Sequence, residues 1–487
     1  MSAPAPQPVP RPDSILIDSI SLDSASLGPT RSGSNLGDRP ASLNRRDWLC
    51  RAARGMAPLL FSGCGLGVPT RSQYIKVGLL HSQTGPLGQS ESALRDAELF
   101  ALEEINARGG LLGRQIEPVA PDTRSRSEDL YPKRARKLLV EDQVPVVFGG
   151  YSAASRRAML PLFEEQSRLL VFPAQTEGNA ASPNLVCGGA LPNQQVLPAL
   201  DWLLGSQGGN PSRLVFLGSE GLYSRTAHYI ATKYLATRQR QFDADLFVPL
   251  QGTDWSPVLD TLAEQSAQTA VLSTLAGDNN GGFYQQLRER GLNRSGGPTV
   301  LGLRLGEDEL RLLPPDAIRG QLAGATYFQS LATPDNQRFV SRFKQEFGYD
   351  RVTSDAMESA YSLVHLWALA VAKAGALNLD AVRQALRDVS FAGPGGEWRI
   401  DPATQHTTKT FHLGRARDDR QFEIIHSSAG PIPPDVFPQF AFPGWKCDLT
   451  AGGVTRGEPV DLNVPGNTPA PSAAGASTPA PPSPSAK

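Results

Sequence analysis

The chain has 487 residues, 40% hydrophobic and 20% charged, which is too long for one compact core and points to two folded domains plus tails. Lysine and arginine number 47 against 48 aspartate and glutamate, so no broad basic field exists to hold a phosphate backbone and nucleic acid is excluded as a partner class. Four cysteines rule out a disulfide-built scaffold, and no apolar run reaches the roughly 18 residues that a membrane-spanning helix requires.

In chain order, the first 43 residues are rich in Ser, Pro, Ala and Asp and are expected to be disordered. Asn44-Arg45-Arg46-Asp47-Trp48-Leu49, with the short apolar stretch that follows, matches a twin-arginine export signal. Phe61-Ser62-Gly63-Cys64 resembles a bacterial lipobox, which would place a lipid on Cys64 and hold the protein to a membrane. Residues 1–64 therefore read as leader and signal, and 65–73 as a tether.

The strands and helices then alternate. Ile75–Leu80 is a buried-strand pattern, and Leu94, Ala97, Ala101 and Ile105 recur at helical spacing until Gly109-Gly110 stops the helix. Strands are predicted at Val144–Phe148, Leu169–Phe172, Leu214–Leu217 and Ala270–Ser273. Helices are predicted at Arg156–Phe163, Thr226–Leu235, Phe283–Arg290, Asp335–Phe347 and Asp355–Ala374. Continuous apolar strands separated by amphipathic helices imply an α/β fold of two doubly wound parallel-sheet lobes. Ligands of such sheets sit beyond the carboxyl ends of the strands. That selects the loops Ser82–Gln89, Gly149–Ser155, Pro173–Gly178, Gly218–Arg225 and Leu275–Asn280, whose hydroxyls and amides suit a small neutral polar ligand. From Gly466 onward the chain is almost only Pro, Ala, Ser, Thr and Gly and reads as a flexible tail.

Signatures of chemistry are sparse. The sequence holds no GxSxG, HExxH, CxxC or Walker string, so no catalytic residue, metal or cofactor is assigned and no enzyme is expected. His406 and His412 could share a strand face but make a weak metal site on their own. His81 stands at a strand end, where a hydrogen-bonded loop histidine is a simpler reading than a base. Cys187 and Cys447 fit a disulfide or two free thiols equally.

Several strings carry a family resemblance: Ile75-Lys76-Val77-Gly78-Leu79-Leu80-His81-Ser82, Glu103-Glu104-Ile105-Asn106-Ala107, Pro192-Asn193-Gln194-Gln195, Thr353-Ser354-Asp355-Ala356-Met357-Glu358-Ser359-Ala360-Tyr361 and Asp401-Pro402-Ala403-Thr404-Gln405-His406. From about Tyr74 to about Phe440 the chain resembles the periplasmic type I solute-binding proteins, relatives of the Leu/Ile/Val-binding proteins, and most of all the branch that binds urea and short-chain amides. The resemblance implies a clamshell with a three-segment hinge crossing near Gly189, Gly324 and Ala392. Residues 74–189 and 325–392 would form one lobe, 190–324 and 393–440 the other, and 441–487 an extension. It implies the extracytoplasmic receptor of an ABC importer, partnered by the membrane permease subunits. An exported sensing module, or a branched-chain amino-acid-type binder, is the alternative.

The resemblance places Tyr151, Ser152, Phe172, Gln175, Thr176, Tyr223 and Asp278 around the ligand, with Asp278 accepting from an amide NH2. Packing alone would also account for Tyr151 and Tyr223, and a helix cap for Asp278. The branch pattern has tyrosines where Phe172, Thr176 and Gly221 stand, and serine where Ala153 stands. Lost rings enlarge the cavity, and each lost partner of a buried polar group costs about 1–3 kcal/mol. Urea is thus expected to bind weakly, or a bulkier amide or an amino acid to replace it.

Overall fold

The computed structural model describes residues 73–457 apart from Gly252, Gln265 and Gly452. Arg45-Arg46, Cys64 and the tail from Gly466 lie outside the described residues. The first sheet comprises β1 (Tyr74–Leu80), β2 (Gln115–Val119), β3 (Val146–Gly149), β4 (Leu169–Phe172) and β5 (Leu185–Cys187), in the order β2-β1-β3-β4-β5. Every pairing in it is parallel. The interleaved helices are α1 (Gly88–Ala107), α2 (Leu130–Arg136) and α3 (Ala153–Glu165). Gly149 explains one tight point: at φ +146°, a Cβ there would lie 2.2 Å from the Leu80 carbonyl oxygen, so β3 approaches β1 as only glycine allows.

The chain then builds a second sheet. It passes through α4 (Val196–Leu204), β6 (Arg213–Ser219), α5 (Leu222–Thr237), β7 (Ala244–Val248), α6 (Ser256–Ala263), β8 (Thr269–Thr274), α7 (Asp278–Glu289) and β9 (Thr299–Gly302). The short helices α8 (Glu307–Leu310) and α9 (Pro315–Ile318) lead to β10 (Leu322–Ala325). Val215, Leu217 and Val271 pack one face of this sheet, while Leu214, Phe216, Ala270 and Leu272 pack the other. Side chains alternate along a strand, so a sheet covered on both sides needs the unbroken apolar runs that the sequence shows.

After β10 the chain returns to the first core. Helices α10 (Pro334–Phe347), α11 (Asp355–Ala374) and α12 (Leu379–Leu386) pack there. Phe100 of α1 meets Phe343 at 5.9 Å and Tyr361 at 5.8 Å between ring centroids, and Trp367 of α11 meets Phe148 of β3 at 5.6 Å. A small hairpin, β11 (Phe391–Gly393) and β12 (Gly396–Trp398), precedes the last run to β13 (His412–Ala416) and β14 (Phe422–Ser427). The second sheet reads β14-β13-β10-β9-β8-β6-β7, and β13 is antiparallel to both its neighbours. This edge departs from the all-parallel expectation; its β13–β14 pairing is antiparallel because Arg417–Gln421 turns the chain straight back, and a short turn joins only antiparallel strands. Beyond it, Val436, Phe437, Ala441 and Phe442 pack against Leu191 and Ile230, ahead of a terminal hairpin of β15 (Lys446–Asp448) and β16 (Gly453–Thr455).

The runs between the two sheets are held together by side-chain amides. Gln195 Nε2 donates to the carbonyls of Leu303 (2.7 Å) and Gly324 (2.6 Å). Gln194 Nε2 donates to those of Thr407 (2.8 Å) and Ile432 (2.9 Å), and Thr407 Oγ1 donates to Gly188 O (2.9 Å). Among the described residues no single helix is long and apolar enough to cross a membrane.

Candidate functional site

Strand order reverses between β1 and β3 in one sheet and between β6 and β8 in the other, and at such points the loops diverge and leave a crevice. The loop after β3 carries Tyr151, the first turn of α5 carries Tyr223, and the loop after β9 carries Arg304. These meet. The Arg304 guanidinium lies 4.7 Å from the Tyr151 ring centroid and 5.0 Å from that of Tyr223. The cleft here is narrow, about 30 Å³, with Tyr151, Gln175 and Ser90 on one wall and Leu303–Glu309 on the other. Gln175 Nε2 donates to Leu303 O across it (2.9 Å), and Tyr223 OH donates to Gln195 Oε1 at 3.4 Å.

The opposite charge collects on α8 and at the start of α11. Glu307, Asp308, Glu309 and Asp355 all line the cleft. Gly306 N donates to Glu309 Oε2 (2.8 Å), Ser90 Oγ to Glu309 Oε1 (3.4 Å), and Gln329 N to Glu307 Oε1 (2.6 Å). Thr326 donates to Asp355 Oδ1 through its hydroxyl (2.6 Å) and its amide (3.2 Å). Glu307 Oε2 and Arg304 Nε are buried without a hydrogen-bond partner. Burial pushes the Glu307 carboxyl up to about 8, aided by the nearby charges of Asp308 and Asp355. Burial and then Asp308 raise Glu309 well above the usual range, and burial raises Asp355 as well. Burial also raises both tyrosine hydroxyls, Tyr223 to about 12, although the Arg304 charge pulls each of them down. Among the described residues no ion pair joins Arg304 to any of these carboxylates. The cleft therefore offers a donor-rich cationic end and an acceptor-rich acidic end, each short of a partner.

Of the residues singled out from sequence, Tyr151, Gln175 and Tyr223 gather here, and the other four have local roles. Ser152 Oγ caps α3 by accepting from Ser155 N (3.0 Å) and pairs with Ser127 Oγ (2.9 Å). Phe172 is buried beneath Gly150, with the Arg156 guanidinium 5.0 Å from its ring. Thr176 Oγ1 accepts from Gly178 N (3.0 Å) and shapes a turn. Asp278 is exposed at the first residue of α7 and does not line the cleft. At Gly221 a Cβ would meet nothing within 4 Å, so the space next to Tyr223 is open. Sequence reasoning missed Arg304 and the Glu307–Glu309 run. They follow a strand as the selected loops do, but the strand itself, Thr299–Gly302, was not recognised.

The other groups with potential chemistry are occupied or apart. His81 Nε2 lies 2.9 Å from both oxygens of buried Glu98. His406 bonds Thr404 O and His412 bonds Ser427 Oγ, both through Nδ1, and no metal-ligand group occurs among the described residues. Cys187 and Cys447 are free thiols, the first buried in β5.

The sequence model of the periplasmic binding protein domain matches residues 75–442. A leucine-, isoleucine-, valine-, threonine- and alanine-binding protein of Pseudomonas aeruginosa is 25% identical over 371 residues, covering 72% of this chain and 91% of that protein. A limonene hydroxylase of Geobacillus stearothermophilus is 32% identical over 114 residues, 23% of this chain, and the aligned stretch is 21% of that protein's length. Among solved structures, a solute-binding protein of an ABC transporter from Rhodopseudomonas palustris, in complex with 3,4-dihydroxybenzoic acid, superposes with a TM-score of 0.65. It is 21% identical, and the match covers 73% of this chain and 97% of that one.

Proposed function

Because the chain belongs to the periplasmic binding protein domain family, we propose that it is the extracytoplasmic solute receptor of an ABC importer, and that its ligand is an α-amino acid held in the cleft around Arg304. One observation carries this reading: a guanidinium and a cluster of carboxylates line one cleft without pairing to each other. A ligand carboxylate would bond Arg304 between the two tyrosine rings, and its ammonium would neutralise the Glu307–Glu309 end. Each charge would then meet an atom that the fold leaves without a hydrogen bond, Arg304 Nε at one end and Glu307 Oε2 at the other. The name of the Pseudomonas relative points the same way.

Ligand bridging both walls favours the shut form of the clamshell, whose hinge we place at the runs stapled by Gln194 and Gln195. The shut form would present the solute to the permease. Export through Arg45-Arg46 and a lipid on Cys64 complete the proposal; replacing Cys64 with alanine should abolish labelling by a clickable fatty acid and release the protein in soluble form.

A second reading, urea or a short-chain amide, has one observation in its favour. Burial holds Glu307 and Glu309 toward their neutral forms, which suits an uncharged N–H donor better than it suits an ammonium. Isothermal titration with amino acids, their amides, hydroxybenzoates, acetamide and urea separates the readings. Amino acids should bind most tightly, and Arg304→Ala should weaken them by about ten- to a hundredfold, the worth of one charge-assisted hydrogen bond. Tight binding of urea with none of amino acids would overturn the amino-acid reading. Binding of hydroxybenzoates alone would show that the acidic end takes no ammonium.

A further inference from the structure

We propose that a second cavity, built around Lys409 beside the runs between the two sheets, is a binding site for a small monocarboxylate. It encloses about 190 Å³ between Thr326, Glu358, the β11–β12 hairpin and Thr408–Thr410. Lys409 is 6% exposed, and its ammonium stands 3.4 Å from the centroid of the Trp398 ring. Among the described residues it makes no ion pair or side-chain hydrogen bond.

The neighbouring charges are already engaged. Glu358 Oε1 accepts from Trp398 Nε1 (2.8 Å), Ser362 Oγ (2.9 Å) and Gly395 N (3.1 Å). Glu397 holds Arg399 at 2.8 Å. The lysine is thus the buried charge that the fold leaves short of acceptors. A ring face compensates a buried ammonium only in part, since it offers no lone pair to the N–H groups. Burial lowers the Lys409 pKa, while Glu358 and Asp355 act against that fall. An anion entering the cavity would supply the missing acceptors, and Thr408 and Thr410, which line the same space, carry hydroxyls able to donate to it. The anion is singly charged because Glu358 and Glu397 border the cavity and would repel a dianion.

The cavity also touches the cleft. Thr326 lines the one and, through hydroxyl and amide, holds Asp355 of the other. An occupant would therefore alter cleft affinity, and the cleft ligand would alter its affinity in return. This coupling rests on the function proposed above; the carboxylate site does not.

Sodium acetate, titrated into the full chain against matched sodium chloride and read by thermal shift, tests the proposal. The wild type should show a saturable acetate response beyond the chloride control. Lys409→Gln should move its midpoint at least tenfold, while Arg304→Ala should leave it in place. Thr410→Val, which removes one hydroxyl without stranding a charge, should weaken it severalfold and serves if Lys409→Gln does not fold. A wild type that responds no more to acetate than to chloride, a response lost in Arg304→Ala but kept in Lys409→Gln, or a Thr410→Val midpoint equal to wild type would overturn it.

Discussion

Arg156 and Glu177 form an ion pair with both side chains 1% exposed. Arg156→Met keeps most of the volume and the apolar contact with Phe172 but strands the carboxylate. Glu177 Oε2 has no hydrogen-bond partner even in the intact pair, so no second donor stands ready to take over. Removing one member of a buried pair costs about 3–5 kcal/mol, because the survivor stays desolvated and unpaired. The guanidinium also sits 5.0 Å from the Phe172 ring centroid, and a desolvated contact of that kind adds about 2 kcal/mol at most. We therefore expect Arg156→Met to lose about 3–7 kcal/mol, measured by urea unfolding with the slope unchanged. Removing both charges, as Arg156→Met with Glu177→Met, should recover most of that loss, since apolar replacement of a buried pair is often neutral or better. A single variant within about 1 kcal/mol of wild type, or a double variant as unstable as the single, would refute the reasoning. Glu177 is two residues beyond Gln175, so the single variant should also weaken ligand binding.

Glu307→Gln should stabilise the protein in alkaline solution. Its folded pKa of about 8 stands above the ordinary 4.5, so folding costs protonation free energy that grows as pH rises from 4.5 to 8. Variant and wild type should melt together near pH 4 and diverge by pH 8; parallel curves would count against the buried-carboxylate account. Glu104 behaves oppositely. Burial alone would raise its pKa, but His365 Nε2 at 3.2 Å, the hydrogen bond from Tyr361 and the charge of Arg342 hold it below 4.5. Glu104→Gln should cost about 1.5–3 kcal/mol at pH 7, and the deficit should fade as pH falls through the folded pKa; a deficit constant down to pH 3 would exclude the mechanism. Burial lifts the Cys187 thiol to about 12 and the Cys447 thiol to about 11. At pH 8 a thiol reagent should modify native Cys447 slowly and Cys187 only on unfolding, and reductant should leave the melting temperature unchanged.

The parts of the fold legible in sequence are those where one signal dominates. Leu169–Phe172 is four buried apolar residues, and Asp355–Ala374 is a long apolar helix ended by Gly375 in the left-handed conformation. Strands with mixed faces escaped. Gln115–Val119 and Ala244–Val248 lie at sheet edges and are only partly buried, and Leu322–Ala325 consists largely of residues too small to announce a strand. In the cleft, Tyr151 and Tyr223 stood out as aromatics in loops at strand ends. Arg304 did not, since Thr299–Gly302 is only four residues long and follows a Gly-Gly-Pro turn. Phe172 is placed in the site by the family resemblance, at a position where the branch pattern carries a tyrosine. It is instead covered by Gly150, a relation between neighbouring strands that no local pattern reveals.

Gln195 is worth following one step beyond its bonds. A single primary amide grips two main-chain carbonyls, from the stretch that bears Arg304 and from β10, and its oxygen receives the hydroxyl of Tyr223, whose ring lies beside Arg304. In the clamshell motion proposed above, the halves would turn about a point where such short links need not break, with this side chain as the stationary axle and the cleft as the travelling jaw. Glutamate has nearly the same outline yet would unfasten the axle, for it brings no hydrogen to either carbonyl.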